Sequence, residues 1–179
     1  MKYLYVAAAP DVSAEDQRMV SDRLGGFGLP VREMRIPSVD FAYDAGRQQY
    51  GSIAVLEMLA RLRPADAEKL LAVTGRDLFV PVLTFVFGQA QLGGRVAVIS
   101  LARLRQEFYS LPPNPEALAE RAAKEALHET GHMFGLVHCA DRACVMSLAT
   151  NVRQIDLKHA AFCASCGAHL RRTPRELST

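Results

Sequence analysis

The stretch HETGHMFGLVHC, residues 128–139, constrains this chain more than any other part of it. His128 and His132 are four residues apart, so on an α-helix both imidazoles project from one face and can share one ion at about 2.0–2.1 Å. Glu129 lies one step further round. It cannot join that ligand face, but it can reach a water beside the metal, the H-E-x-x-H arrangement in which glutamate acts as general base. Gly135 follows His132 by three, and a glycine there takes the left-handed conformation that ends a helix and turns the chain. That turn brings His138 back as a third ligand. Three neutral imidazoles leave a fourth tetrahedral position open for water, the mark of a catalytic rather than a structural zinc.

The last residue of the stretch belongs to a second pattern. Cys139, Cys144, Cys163 and Cys166 all fall near the C-terminus, as a C-x4-C pair and a C-x2-C pair. Thiolates at such spacings suit a closed four-cysteine zinc site that contributes folding energy and leaves no position for water. Three alternatives stay open: four buried free cysteines, two disulfides in an oxidising compartment, or His169 as a ligand in place of one cysteine. His159 has no partner at ligand spacing. His138 and Cys139 are neighbours whose side chains diverge in extended or turn backbone, so they serve different ions.

The 179 residues suit one domain. A net charge of +2 argues against a nucleic acid or an anionic membrane as partner. No apolar run is long enough to span a bilayer. The opening MKYLYVAAAP is too short in its apolar part for a signal peptide, and Tyr3 to Ala8 reads as a buried first strand in a cytoplasmic protein. Ser13 caps a helix to Leu24, with Asp16 at the capping-box position and Gly25-Gly26 as the stop. Val31 to Ile36 reads as a half-exposed strand, and Phe41 to Gln49 as a polar segment. Ser52 to Leu62 has helical spacing, and a short helix is expected from Ala65 to about Val73. Strands are expected at Asp77–Val80, Thr84–Gln89 and Arg95–Leu101, with Gly93-Gly94 as the turn between the last two. Pro112 to Pro115 is a loop. Glu116 to about Phe134 is a helix rich in strong helix formers. The alternation of strands and helices predicts a mixed sheet with helices packed on it.

Residues 128–138 resemble the metzincin clan of zinc peptidases. Cys139, Cys144-Val-Met146 and Cys163-Ala-Ser-Cys166 narrow the resemblance to the archaemetzincins, and FAYDAGRQQY and FVFGQAQLGGRVAVISLARLR look like that family more loosely. The resemblance implies an α+β zincin-like fold: a mixed, mostly parallel twisted sheet with one antiparallel edge strand, an active-site helix, and a small zinc-bearing C-terminal part. It implies a single catalytic domain over 1–179, with an N-terminal subdomain at 1–135 and a C-terminal subdomain at 136–179. It further implies His128, His132 and His138 as ligands of a catalytic zinc, Glu129 as general base and acid, and Met146 in a tight turn beneath the metal. Cys139, Cys144, Cys163 and Cys166 would hold a second, structural zinc, giving two per chain.

The expected function is therefore peptide hydrolysis by a monomer. The substrate would lie extended along an edge strand, for which Thr84–Gln89 is the candidate because metzincins border their cleft with the strand before a G-x-A-like segment, here Gly88-Gln89-Ala90. Tyr43, Tyr50 and Tyr109 are candidates for stabilising the oxyanion. Two other readings compete: a zinc hydrolase acting on another amide or only weakly on peptides, and a non-enzymatic binding module with two structural zincs. Glu129 speaks against the module, because structure alone needs the histidines but no base.

Overall fold

In the computed structural model, which describes residues 1–172, a five-stranded sheet runs through the middle of the molecule. Its strands are β1 (Tyr3–Ala8), β2 (Val31–Arg35), β5 (Ala67–Thr74), β7 (Gly88–Ala90) and β8 (Val96–Ser100), in the order β2-β1-β5-β8-β7. All neighbours are parallel except β7, which pairs antiparallel with β8 and forms one edge. A small second sheet joins β3 (Tyr43–Asp44), β4 (Gln49–Gly51) and β6 (Leu78–Phe79).

Period-two alternation along the central strands divides the core into two halves. Leu4, Val6, Leu71, Val73, Ala97 and Ile99 face α1 (Ala14–Ser21) and α3 (Pro115–Met133). Tyr5, Ala7, Leu70, Ala72, Val96 and Val98 face α2 (Ser52–Leu62) through Val55, Leu56 and Leu59. The result is a sheet covered by helices on both faces, the arrangement that parallel strands with helical crossovers require. Two further helices, α4 (Val152–Leu157) and α5 (Ala164–Arg172), complete the C-terminal part. The last seven residues of the expected 136–179 subdomain lie outside the described residues. No helix among the described residues is long and apolar enough to cross a membrane.

Three expectations need correction. The segment Ala65–Val73 is not a helix. Its core, AEKLLAV, consists of good helix formers, but it forms β5 between β1 and β8, where it is buried on both faces, and packing overrides propensity. Thr84–Gln89 supplies only its last two residues to an edge strand, which continues to Ala90. The preceding backbone is drawn off the sheet: the Thr84 carbonyl accepts from Gln49 Nε2 (3.0 Å) and Arg47 Nη2 (3.2 Å), and Val86 bridges to Leu78. Helix α1 ends at Ser21 rather than Leu24, and Gly25–Phe27 form a 3-10 turn. Its N-cap is as expected, with Asp16 N–H donating to Ser13 Oγ at 3.0 Å, but the Asp16 carboxylate pairs with Arg105 instead of returning to the cap.

Two sets of hydrogen bonds lock the sheet edge to α3. The β7–β8 turn, with Gly93 at φ 65°, donates Gly93 N–H to the His132 carbonyl at 2.8 Å. Buried Lys69, on β5, donates to the Gly94 carbonyl (2.8 Å) and to the Met133 carbonyl (2.9 Å). The lysine thereby satisfies an orphan carbonyl at the end of α3 and holds the edge hairpin beside it.

Candidate active site

Helix α3 carries the H-E-x-x-H segment in its last turns. Asn114 caps its start by accepting from Ala117 N–H at 2.9 Å, with Pro115 at the first helical position. Its end is a Schellman turn: Leu136 N–H reaches the Gly131 carbonyl (3.0 Å) and Gly135 N–H reaches the His132 carbonyl (2.9 Å), with Gly135 at φ 89°. This left-handed glycine sends the chain back over the helix and places His138 opposite the other two histidines. The three imidazoles stand 4.6, 5.3 and 5.0 Å apart by ring centroid, and one ring nitrogen from each lies within 4.8 Å of the others.

Hydrogen bonds decide which nitrogens face inward. His128 Nδ1 lies 2.8 Å from the Val145 carbonyl, and His132 Nδ1 lies 2.7 Å from the Leu136 carbonyl. A carbonyl only accepts, so each Nδ1 carries the proton and each Nε2 presents a bare lone pair. Those two Nε2 atoms are 3.1 Å apart. Two lone pairs at that distance cannot hydrogen-bond to each other and call for a cation between them. Burial also pushes all three imidazoles below their ordinary pKa, His128 to about 3, with the Lys158 charge acting in the same direction. The residues therefore fit a divalent metal: neutral, pre-oriented imidazoles held from behind by backbone carbonyls.

Protons compete for a ligand nitrogen only below its folded-state pKa. Three ordinary imidazoles with pKa near 6.5 would together lose about 4.2 log units of zinc affinity between pH 7 and pH 5. His128, depressed to about 3, adds nothing to that loss, and His132 and His138 are also lowered. Zinc or cobalt titration of the histidine cluster over the same pH range should show a fall of less than about 3 log units; a fall of about 4 or more would contradict this.

Glu129 is buried beside the cluster, and burial, with Glu125 repelling it, holds its carboxyl well above the usual range. Edge strand β7 passes directly against it: a Cβ added at Gly88 would come within 2.7 Å of Glu129 Cγ and 2.8 Å of the Val98 carbonyl. Met146 is fully buried at the third position of a turn closed by Ser147 N–H on the Cys144 carbonyl (2.9 Å). Gly131, between the two helical histidines, is where Met146 packs. A Cβ there would lie 2.6 Å from Met146 Sδ, so the small residue of H-E-T-G-H makes room for the turn.

The four cysteine sulfurs lie within 4.8 Å of one another, with Cys139 and Cys163 at 3.8 Å. Cys144 Sγ accepts from the N–H groups of Met146 (3.5 Å) and Cys163 (3.4 Å), as a thiolate ligand does. The Cys166 N–H draws the Cys163 thiol down to about 7. This donor set fits one tetrahedral zinc. His169 is not in the group; its ring lies near Gly135.

The histidines and Glu129 line a cavity of about 650 Å³ together with residues 83–90 and 148–150. None of the three tyrosines considered for the oxyanion lines it. Tyr43 and Tyr50 pack on each other at 5.1 Å in the small sheet, and Tyr109 donates to the Arg103 carbonyl. Sequence reasoning missed two residues that do line it, Glu125 and Lys158. Glu125 had a signal, lying one helical turn before Glu129 on the same face; Lys158 had none.

A helix-covered mixed sheet, an H-E-x-x-H helix and a buried methionine turn define a metzincin zinc metallopeptidase. The family model of peptidase family M54 matches residues 22–172. The chain is 45% identical over 157 residues to an archaemetzincin of Methanocaldococcus jannaschii, covering 87% of this chain and 86% of that one. It is 41% identical over 153 residues to an archaemetzincin of Methanopyrus kandleri, covering 86% and 82%. Among solved structures, the M. kandleri archaemetzincin superposes with a TM-score of 0.84 at 36% identity, over 96% of this chain and 95% of that one. A zinc-dependent peptidase from Methanocorpusculum labreanum gives 0.84 at 31% identity, over 93% and 99%. The chain belongs to peptidase family M54, the archaemetzincins.

Proposed function

We propose that this chain hydrolyses peptide bonds at the cluster of His128, His132 and His138, with Glu129 as general base and acid. The observation that carries the reading is the pair of bare Nε2 lone pairs at 3.1 Å, oriented by carbonyls behind them and next to a buried carboxyl in a cleft. The three histidines would hold one zinc, and Cys139, Cys144, Cys163 and Cys166 a second, purely structural one. When bound, the first zinc supplies Lewis-acid chemistry, polarising a carbonyl and making water a nucleophile at neutral pH.

The protein's own groups do the rest. Edge strand β7 offers its free side to an extended peptide, which pairs as an added strand and brings its scissile bond over the histidines. Glu129 takes a proton from the attacking water as the C–O bond forms. It then delivers that proton to the leaving nitrogen as the C–N bond breaks. Burial raises its pKa, which favours the carboxyl holding the proton it has taken until the leaving nitrogen accepts it. Met146 and the turn around it support the histidines from below. In this reading residues 1–135 supply the sheet, the helix and two ligands, and residues 136–179 supply the third ligand, the turn and the cysteine site, as one catalytic domain.

Metal counting tests the two-site assignment. The wild type should carry two zinc ions per chain and His132→Ala one, with the protein still folded. Two ions retained in the variant would remove the histidine site from the proposal.

A further inference from the structure

Among the residues lining the catalytic cleft, Glu125 and Lys158 form a buried pair that has no direct part in the proposed proton transfers. Both line the cavity, and each is only 3% exposed. Lys158 Nζ stands 3.9 Å from Glu125 Oε1, too far for a hydrogen bond, and its contact with the Val145 carbonyl is long, at 3.4 Å. Glu125 Oε1 is buried without any hydrogen-bond partner. The pair is not what docks α4 onto α3. Arg121 does that, gripping Asp156 with two bonds of 2.7 and 2.8 Å while Lys124 reaches the Asp156 carbonyl.

A buried acceptor with no partner, facing a buried donor just beyond reach, is a gap of defined chemistry. An added charge would leave the pair with an uncompensated ion in a buried place. A wholly apolar tip would leave the acceptor and the ammonium unsatisfied. A hydroxyl both donates and accepts. With O–H···O at about 2.7 Å and N–H···O at about 2.9 Å it can bridge two atoms this far apart. The same cavity is also lined by aromatic and aliphatic side chains, Phe85 and Phe87, edge to face at 5.0 Å, with Leu148 and Ala149. They suit a flat ring.

We propose that the cleft holds a side-chain subsite for tyrosine, in which Glu125 and Lys158 are specificity-determining residues. The ring lies between Phe85–Phe87 and Leu148–Ala149, and its hydroxyl donates to Glu125 Oε1 and accepts from Lys158 Nζ. The inference rests on the peptidase reading for its biological meaning but not for its test.

The test is binding without cleavage. The wild-type protein is titrated with N-acetyltyrosinamide and with N-acetylphenylalaninamide, followed by amide shifts of Gly88–Ala90 and Lys158. Two added hydrogen bonds should make the tyrosine compound about tenfold tighter. In the double variant Glu125→Leu/Lys158→Met, which replaces a buried ion pair by apolar groups and so keeps the fold, phenylalanine should bind at least as well as tyrosine. Equal binding of the two compounds by the wild type, or an unchanged tyrosine preference in the double variant, overturns the proposal. Either failure leaves the peptidase reading standing. Preference for tyrosine in a protein that cleaves no peptide would support the subsite and sink that reading alone.

Discussion

Glu129→Gln is expected to lower peptide cleavage by about 10²- to 10⁴-fold, the usual contribution of a positioned general base, while both zinc ions stay bound. Glutamine keeps the shape and volume of the side chain, so the close contact with Gly88 survives. What it loses is the ability to take up and release a proton. The substitution also removes a buried carboxyl that burial and Glu125 together disfavour in its charged form, so the fold should not suffer. The wild type and variant are compared at equal zinc occupancy on one peptide series, with thermal unfolding of both. A fall in kcat with KM nearly unchanged marks a group acting in the transition state rather than in binding. Retention of more than a tenth of the wild-type rate would exclude Glu129 as the base.

How much of this could be read without the structure depends on how local each feature is. Helix α3 was legible from its run of helix formers and its terminal glycine, and the Schellman turn at Gly135 is the physical form of that second signal, whereas its Asn114 cap and Pro115 start fell in the segment read as loop. The gathering of three imidazoles follows from the same twelve residues. Strand β5 was not legible: Ala67–Val73 has helical composition, and its extended form comes from β1 and β8 on either side. The bend at Thr84 was hidden for a similar reason, since the groups that capture its carbonyl, Arg47 and Gln49, lie 35 or more residues away. Lys158 lines the cleft from the end of α4, a helix that the Arg121–Asp156 bridge ties to α3. No spacing rule reports a contact of that kind. Gly131 shows the intermediate case: it reads as a weak point in a helix until Met146 is seen to occupy the space beside it.

The cysteine site should matter to catalysis as well as to stability. Cys144→Ser is expected to remove the structural zinc and, with it, most of the activity. Cys144 is buried, and its sulfur accepts the N–H groups of Met146 and Cys163, so it ties the methionine turn to the segment that carries the second cysteine pair. Val145, the next residue, supplies the carbonyl that orients His128, and Cys139, another of the four, directly follows His138. Losing the closed site frees this backbone and removes the support behind two of the three histidines. Disturbing such supporting groups typically costs about 10- to 100-fold in metal affinity or activity. The half of the core that faces α2 is built from residues before 135, contains no cysteine and should stay protected. Three measurements separate the outcomes. Zinc content should fall by at least one ion. Amide exchange should accelerate across residues 139–166 while β1, β5 and β8 remain slow. Cleavage at saturating zinc should fall about tenfold or more. Full activity with one zinc lost and unchanged exchange around Met146 would mean that the two sites are energetically independent. A variant still holding two zinc ions would show that Cys144 is not a ligand.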